Sequence, residues 1–312
     1  MHVILAQPRG FCAGVERAIA IVEKALEVYG APLYVRHEIV HNRWVVDSLK
    51  RKGAVFVDEL IHVPDGATVI FSAHGVSKAV AAEGQRRPLR VLDATCPLVE
   101  KVHRQAVRLN NDGYRVILIG HPGHPEVEGT VGQLPPGSME VIRDEDAVSS
   151  LPEDDHEKVA YITQTTLSLD ETVKVVDRLR DRFPSIRSPG REDICYATQN
   201  RQNAVKALAR RCDLILVLGA PNSSNSNRLR EVAEREGTKA HLIESADDVQ
   251  MAWLDGVTTL GITAGASAPE ILVEGLLNHL GIDDRMVEIL SVSEENLVFP
   301  LPRELMQSTN SR

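Results

Sequence analysis

Short apolar runs alternate along the chain with longer segments in which apolar residues recur every three or four positions. The run V-I-L-A-Q, near the start, is typical of a buried strand, and an amphipathic helix is predicted after it. The same order returns at V-L-D-A-T and at E-D-I. The apolar faces of the three predicted helices are Val15, Ala18, Ile19, Val22, Ala25 and Leu26; Leu98, Val99, Val102, Ala106 and Leu109; and Ala197, Ala204, Val205 and Leu208. Strands that alternate with helices predict an α/β fold with parallel sheets and right-handed crossovers.

Each of these strand-to-helix turns carries one cysteine, namely Cys12, Cys96 and Cys195. A second strand and a polar loop follow each cysteine, at spacings of 29, 28 and 28 residues to His41, His124 and Ser223. A third strand and polar loop follow in each case, with His74, Thr165 and Ser267. The chain therefore contains three copies of one plan.

The repeat predicts three similar small α/β domains in a pseudo-threefold arrangement. We assign them to residues 1–95, 96–194 and 195–285, and we expect a C-terminal strand, M-V-E-I-L, and a disordered tail within 286–312. Ligands of such sheets bind beyond the carboxyl ends of the parallel strands. If the three domains point these ends inward, one central site receives three cysteines and polar groups from every copy.

Composition narrows the class of protein. Of the 312 residues, 43% are hydrophobic but only 4% are aromatic, so the core must consist of Val, Leu, Ile and Ala, which suits α/β layers. A net charge of −9 without a basic run that suggests a binding face argues against nucleic acid. No segment is apolar over the about 18 residues that a membrane span needs, and the N-terminus lacks the features of a signal peptide. We therefore expect a cytoplasmic protein whose four cysteines stay reduced and serve metal binding or catalysis.

Three cysteines at the N-termini of separate helices suit a metal, because the helix dipole favours the thiolate. Zinc with three cysteines and one histidine is one possibility, but structural zinc sites usually use close C-x2-4-C pairs, which the chain lacks. Isolated cysteines favour a 4Fe–4S cluster, in which three ligands leave the fourth iron open to substrate. Cys212 has no counterpart in the repeat and is interpreted as a small apolar residue at the start of a strand.

The other loop residues share a chemistry that suits an oxyanion such as phosphate. Histidines, hydroxyls and amides at helix N-termini can bind phosphate without lysine or arginine. The candidates are His41, His74, His124, Thr165, Ser223, Ser224, Asn225 and Ser267. Ser267 also fits a capping box with Glu270, which is the more common role of a lone serine. Its place in the third copy favours ligand binding.

The segment G-H-P-G-His124-P-Glu126-V-E-G-T places a histidine and a carboxylate two residues apart in a turn held by Gly and Pro. Such a pair can pass protons to a substrate. By itself the pair is a weak signal, and Glu128 is a second candidate for the active acid.

Nine motifs resemble, in the same order, those of the 4-hydroxy-3-methylbut-2-enyl diphosphate reductases, the LytB/IspH family. They are P-R-G-F-Cys12-A-G-V, R-H-E-I-V-His41-N, F-S-A-His74-G-V, D-A-T-Cys96-P-L-V, G-His124-P-Glu126-V-E-G-T, T-Q-Thr165-T-L-S, I-Cys195-Y-A-T-Q-N-R-Q, N-Ser223-Ser224-Asn225-S-N-R-L and A-G-A-Ser267-A-P. The resemblance runs from about residue 1 to about residue 300 and departs from the family at no site position.

The resemblance implies the last step of the non-mevalonate isoprenoid pathway. Two electrons and two protons would remove the C4 hydroxyl of an allylic diphosphate as water, to give isopentenyl and dimethylallyl diphosphate. It also implies an oxygen-sensitive 4Fe–4S cluster on Cys12, Cys96 and Cys195, with the substrate's C4 hydroxyl on the fourth iron. Proton delivery falls to Glu126, with Thr165 nearby. The implied diphosphate ligands are His41, His74, His124, Ser223, Ser224, Asn225 and Ser267.

Electrons come in that family from a ferredoxin or flavodoxin. The chain has no G-x-G-x-x-G after a strand and no P-loop, so an NAD(P)H site is unsupported and a partner protein must supply electrons. Two rival functions are a zinc hydrolase that uses His124 and Glu126, and a non-catalytic iron–sulfur sensor. Iron and labile sulfide analysis separates the hydrolase from the cluster enzyme. A sensor has no need of phosphate-type ligands in all three copies.

Overall fold

The computed structural model describes residues 1–152, 158–190, 192–283 and 286–307. Its strands are β1 (His2–Gln7), β2 (Leu33–Arg36), β3 (Ala54–Val57), β4 (Thr68–Phe71), β5 (Arg90–Asp93), β6 (Arg115–Ile119), β7 (Met139–Ile142), β8 (Val159–Thr163), β9 (Leu214–Leu218), β10 (Lys239–Ile243), β11 (Thr259–Ala264) and β12 (Val287–Ser291). Its α-helices are α1 (Ala13–Tyr29), α2 (Arg43–Arg51), α3 (Lys78–Arg86), α4 (Pro97–Asn111), α5 (Pro125–Val131), α6 (Leu169–Arg182), α7 (Tyr196–Ala209), α8 (Ser224–Arg235), α9 (Glu270–His279) and α10 (Arg303–Gln307). Strands and helices alternate through most of the chain, which confirms the predicted α/β class.

The described residues divide into two compact units by their internal contacts. The first unit comprises residues 1–16, 41–47 and 196–298. The second comprises residues 17–40, 48–195 and the described part of 299–312. One parallel sheet lies in the first unit and two lie in the second.

The first unit is built on a parallel sheet with the strand order β10-β9-β11-β1-β12. Its strand β9, L-I-L-V-L, is buried along its whole length. Leu214, Leu216 and Leu218 belong to one core layer, whereas Ile215 and Val217 belong to another. A strand that is buried on both faces reads as a continuous apolar run, as is usual in parallel sheets covered by helices on both sides.

The second unit contains two parallel sheets, with the strand orders β3-β2-β4-β5 and β7-β6-β8. The central strand β6 contributes Val116 and Leu118 to one core and Ile117 and Ile119 to another. Helix α4 packs on the first of these cores through apolar residues that include Val102. The three parallel sheets found among the described residues agree with the three α/β copies predicted from the repeat.

Strand β1 joins the sheet of the first unit, where it lies between β11 and β12, and so pairs with strands from the end of the chain. Its side chains explain this central position, because Val3 and Leu5 enter one core layer while Ile4 and Ala6 enter the other. The strand predicted at M-V-E-I-L is confirmed as β12.

The predicted strand E-D-I, before Cys195, is wrong. Residues 192–194 form no strand, and upstream Arg187 makes only an isolated parallel bridge to Ala160 of β8. The reason is chemical: the Asp193 carboxylate, rather than a strand backbone, accepts the backbone N–H of Thr163 at 3.2 Å.

The boundaries at residues 95, 194 and 285 stay a prediction. The end of the predicted tail, residues 308–312, lies outside the described residues. Among the helices that the structure describes, none is both long enough and apolar enough to cross a membrane.

Candidate active site

One backbone hydrogen bond recurs at all three cysteine turns. The amide of Cys12 donates to the carbonyl of Ala266 at 3.4 Å, that of Cys96 to Ala73 at 3.0 Å, and that of Cys195 to Thr165 at 3.0 Å. Each acceptor lies in, or next to, one of the third polar loops identified from the repeat. The fold therefore ties every cysteine to a loop that carries a predicted ligand, namely Ser267, His74 or Thr165 itself.

The candidates in the first unit form one group, which we call the serine group: His41, Ser223, Ser224, Asn225 and Ser267. The Ser267 hydroxyl donates to the carbonyl of His41 at 2.9 Å and lies 3.5 Å from the Ser223 hydroxyl. The Asn225 Oδ1 accepts the amide of Ala266 at 3.0 Å, next to the carbonyl that Cys12 uses.

Helix α8 starts within the serine group. Ser223 is its N-cap and accepts the amide of Ser226, and Ser224 is its first residue. The Ser226 hydroxyl donates to Ser223 at 3.0 Å and lies where a Cβ at Gly219 or Gly265 would collide with it. Glycine at the ends of β9 and β11 therefore lets the helix N-terminus approach both strands. Such an end presents backbone N–H groups and a positive dipole to an anion.

The candidates in the second unit form the histidine group: His74, His124, Glu126 and Thr165. The rings of His74 and His124 meet edge to face, with centroids 5.7 Å apart. His124 is the N-cap of α5, and its Nδ1 accepts the amide of Glu126 at 3.1 Å. A neutral His124 therefore carries its proton on Nε2, which makes that nitrogen a hydrogen-bond donor.

Glu126 is bound to Thr165 through both carboxyl oxygens. Oε1 accepts the Thr165 amide at 2.6 Å, and Oε2 lies 3.0 Å from the Thr165 hydroxyl. Glu126 is only 4% exposed, whereas Glu128, on the same helix, is exposed. The geometry thus favours Glu126 over Glu128 as an acid that works away from bulk water.

Sequence reasoning missed Arg201, which lies on α7 and is fully buried. Its guanidinium donates to the carbonyl of Gly10 at 2.7 and 3.1 Å, to that of Phe11 at 3.2 Å, and to the Glu295 carboxylate at 3.0 and 3.2 Å. It therefore fixes the backbone just before Cys12. The sequence did contain a signal for its burial. Position 201 lies four residues after Ala197 and four before Val205, so a helix places Arg201 on the same face as these two apolar residues.

His103 is a second buried residue beside the candidate loops that sequence reasoning missed. Burial lowers the pKa of His103 to about 4, so the ring is neutral at physiological pH. A Cβ at Gly75 would lie 2.7 Å from its Cε1, and Gly75 has a φ of +81°. The neutral ring thus packs against the glycine that follows His74, where no other residue fits without strain.

The cysteines fit a sulfur-ligated cofactor in their chemistry. Cys12, Cys96 and Cys195 are not in disulfides and are partly exposed. Cys212 is buried in an apolar core of the first unit, as predicted for a small apolar residue, and burial raises the pKa of its thiol to about 11. Among the residues that the structure describes, no three His, Cys, Asp or Glu side chains are arranged to hold a single metal ion.

Tyr196 adds a hydroxyl near Cys12. Its oxygen accepts the amide of Ala13 at 3.4 Å. Burial, and after it the Cys12 sulfur, raises the pKa of Tyr196 to about 12, so the hydroxyl keeps its proton. Hydrogen-bond donors near cysteine sulfurs are among the groups that tune sulfur-bound clusters in proteins that contain them.

Comparisons with known proteins agree on one family. The model of a family described as LytB protein matches residues 3–281. The chain is 68% identical over 307 residues to a Magnetococcus marinus protein named 4-hydroxy-3-methylbut-2-enyl diphosphate reductase, over 98% of this chain and 100% of that one. It is 57% identical to a Pseudomonas aeruginosa protein of the same name, over 98% of each chain.

Two solved structures are similar. A Plasmodium falciparum E-1-hydroxy-2-methyl-but-2-enyl-4-diphosphate reductase aligns with a TM-score of 0.95 and 35% identity, over 99% of this chain and 98% of that one. An (E)-4-hydroxy-3-methyl-but-2-enyl diphosphate reductase, described as the terminal enzyme of the non-mevalonate pathway, aligns with a TM-score of 0.65 and 34% identity, over 90% of this chain and 99% of that one.

We predict that Arg201→Gln lowers the free energy of unfolding by about 3–5 kcal/mol, because it breaks a buried ion pair and leaves two loop carbonyls without their donor. Glu295→Gln should cost a comparable amount, because the fully buried Arg201 guanidinium then lacks a counter-charge even though the amide still accepts a hydrogen bond. Urea denaturation of both variants measures these losses. Equal stability of Arg201→Gln and the wild type would contradict the role of Arg201.

Proposed function

The chain belongs to the LytB family and reduces 4-hydroxy-3-methylbut-2-enyl diphosphate, and we propose that the cysteine turns, the serine group and the histidine group carry out this reaction. The identity of 68% over almost the whole chain carries the activity. The recurrence of the cysteine-to-loop hydrogen bond supports the choice of residues, because it joins each cysteine to a candidate ligand.

The family is an iron–sulfur family, and we propose Cys12, Cys96 and Cys195 as ligands of a 4Fe–4S cluster. The support is a set of three partly exposed cysteines, none of them in a disulfide, at equivalent positions of the repeat, with Cys212 set apart by burial. When bound, such a cluster supplies a one-electron carrier and, at the iron without a cysteine ligand, a Lewis acid. Because exposed thiolates of this kind need reducing surroundings, we expect the enzyme to work in the cytoplasm.

The reaction consumes two electrons and two protons. The allylic C4–O bond breaks, one proton leaves with the oxygen as water, and the other proton ends on a carbon of the allyl fragment. The products are then isopentenyl and dimethylallyl diphosphate. The protein must therefore hold the diphosphate, exclude bulk water and deliver protons.

The serine group, together with His74 and His124, supplies the diphosphate ligands. Ser223, Ser224 and Asn225 lie at the N-terminus of α8, where backbone amides and the helix dipole favour an anion. His41 Nδ1 lies 3.3 Å from the side-chain Nδ2 of Asn222 and accepts its hydrogen bond, which leaves Nε2–H as the donor of a neutral ring. His124 presents Nε2–H in the same way. These groups hold phosphate through hydrogen bonds without a lysine or arginine.

Glu126 delivers protons together with Thr165. The 3.0 Å contact between Glu126 Oε2 and the Thr165 hydroxyl permits a proton to pass between them. Burial and a neighbouring diphosphate both disfavour an ionised carboxylate, so substrate binding favours the protonated acid that the reaction consumes.

If the protein were a zinc hydrolase, the purified protein would contain zinc and no labile sulfide. If it is the cluster enzyme, it contains iron and labile sulfide. Anaerobic turnover of the allylic diphosphate with a chemical reductant tests the activity itself.

We predict that Cys12→Ser, Cys96→Ser and Cys195→Ser each lose the cluster and the activity, while Cys212→Ser keeps both. Iron and sulfide content after anaerobic purification is the measurement. Unchanged iron in Cys96→Ser, or its loss in Cys212→Ser with the fold intact, would refute the ligand assignment.

We predict that His41→Ala raises the KM for the diphosphate by about 10- to 100-fold, because it removes a charge-assisted hydrogen bond worth roughly 1.5–3 kcal/mol. Anaerobic steady-state kinetics measure the effect. The exposed His62 provides the control, and His62→Ala should leave KM unchanged. If His41→Ala and Asn225→Ala both kept wild-type kinetics, the diphosphate would bind elsewhere.

We predict that Glu126→Gln keeps the cluster and nearly normal substrate binding but lowers kcat by roughly 10²–10⁴-fold, the usual value of general acid catalysis. The amide can keep the hydrogen bonds to Thr165, but it has no proton to give. Single-turnover kinetics and the cluster absorbance are measured together, with the exposed Glu128→Gln as matched control. Normal turnover in Glu126→Gln would move the acid to Glu128 or water, and a lost cluster would make Glu126 structural.

A further inference from the structure

A groove of about 340 Å³ lies in the second unit between helix α4 and the segment 187–190. Of the described residues that line it, four carry a positive charge and none carries a negative one; the four are Lys101, Arg104, Arg108 and Arg187. The chain as a whole has a net charge of −9. The groove is therefore a positively charged region of a protein whose net charge is negative.

The charges of the groove reach solvent. The side chains of Arg104 and Arg108 are 69% and 77% exposed, and their carboxylate partners Glu100 and Asp112 lie one turn away at 3.7 and 3.9 Å. Pairs of this kind are weak and leave the guanidinium groups largely hydrated. Arg187 is exposed and lies 5.1 Å above the ring of Tyr114.

Both walls of the groove lead to cysteine turns. Helix α4 begins directly after Cys96, its N-cap residue. Lys101 donates from Nζ to the carbonyl of Glu192 at 2.7 Å and to the carboxylate of Asp193 at 3.1 Å, two residues before Cys195. The basic surface is thus connected through short stretches of backbone to two of the three proposed cluster ligands.

We propose that this groove is the docking surface for a small acidic one-electron carrier protein that reduces the enzyme. The inference rests on the proposed function, since only a reductase needs two electrons for each turnover. The chain lacks a dinucleotide fingerprint, so the electrons must arrive from outside. A one-electron carrier delivers one electron at each encounter. Two carriers must therefore dock, one after the other, for each product molecule.

Fast, repeated encounters are favoured by electrostatic steering rather than by tight binding. Complementary charge can raise association rates by about 10- to 10³-fold at low salt, and redox encounter surfaces are small. Lys101, Arg104 and Arg108 follow one another along about 10 Å of helix, given a rise of 1.5 Å per residue. That length exceeds a single phosphate ion and matches a protein surface with several carboxylates.

The test compares two reductants on the same anaerobic holoenzyme. One is a reduced acidic ferredoxin, and the other is dithionite with methyl viologen, a small reductant that needs no docking surface. The variant is the double change Arg104→Glu and Arg108→Glu. Lys101 is left in place because it holds Asp193. The control is Arg235→Glu, since Arg235 also lies in the last turn of a helix, α8, and pairs with Glu231 at 4.0 Å.

We expect the double variant to raise the KM for ferredoxin at least about tenfold at low ionic strength, to flatten its dependence on salt, and to leave viologen-driven turnover unchanged. A KM for ferredoxin equal to that of the Arg235→Glu control would overturn the docking surface. An equal loss with both reductants would overturn it as well, because the arginines would then serve folding or substrate binding.

A failure of the proposed function gives a different result. In that case the wild type does not turn over the allylic diphosphate even with viologen. Calorimetric titration of the anaerobic protein with ferredoxin still decides the docking surface, since it needs no catalysis. Weaker binding by the double variant than by the Arg235→Glu control supports the surface, and equal binding overturns it.

Discussion

The hydrogen bond from each cysteine amide to a loop carbonyl is the constraint on which the site depends. A cysteine that directly precedes a helix has a backbone N–H that the helix itself cannot satisfy. The acceptors, at Ala266, Ala73 and Thr165, belong to loops that end other strands. Because a buried amide without a partner is costly, the cysteine turns and the polar loops must keep their relative positions. The proposed cofactor ligands and the proposed substrate ligands are thereby held by the same contacts.

The sequence predicted the fold well where strands are buried on both faces. Runs such as L-I-L-V-L in β9 have one structural solution, a parallel strand between two layers. The sequence could not predict which sheet contains β1, because an apolar strand can be buried in the interior of any of the sheets. It also misjudged residues 192–194, where the side chain of Asp193 accepts a hydrogen bond that a strand would otherwise supply. The periodicity of apolar residues does not indicate where a side chain, rather than the backbone of a strand, accepts a hydrogen bond.

For the site, the repeat identified the candidate loops, and the structure brings several of their residues into contact within each unit. The contact of Glu126 with Thr165 separates Glu126 from Glu128, which the sequence left open. The roles of Arg201 and His103 depend on contacts with Gly10 and Gly75, far away in the sequence, so a pattern of single residues could not reveal them. The basic groove was hidden for the same reason, since its two walls come from separate segments.

The outer edge of β8 connects these features. An edge strand has outward N–H groups that its sheet cannot pair. Along β8 and the residues after it, the amide of Tyr161 donates to the carbonyl of Arg187, that of Thr163 to Asp193, and that of Thr165 to Glu126. The first two acceptors belong to the segment that lines or supports the basic groove, and the third is the proposed proton donor. One row of otherwise unpaired amides thus positions the surface proposed for electron entry and the acid proposed for proton delivery. Because both depend on the same strand edge, the backbone holds the proposed point of electron entry and the proposed proton donor in a fixed relation.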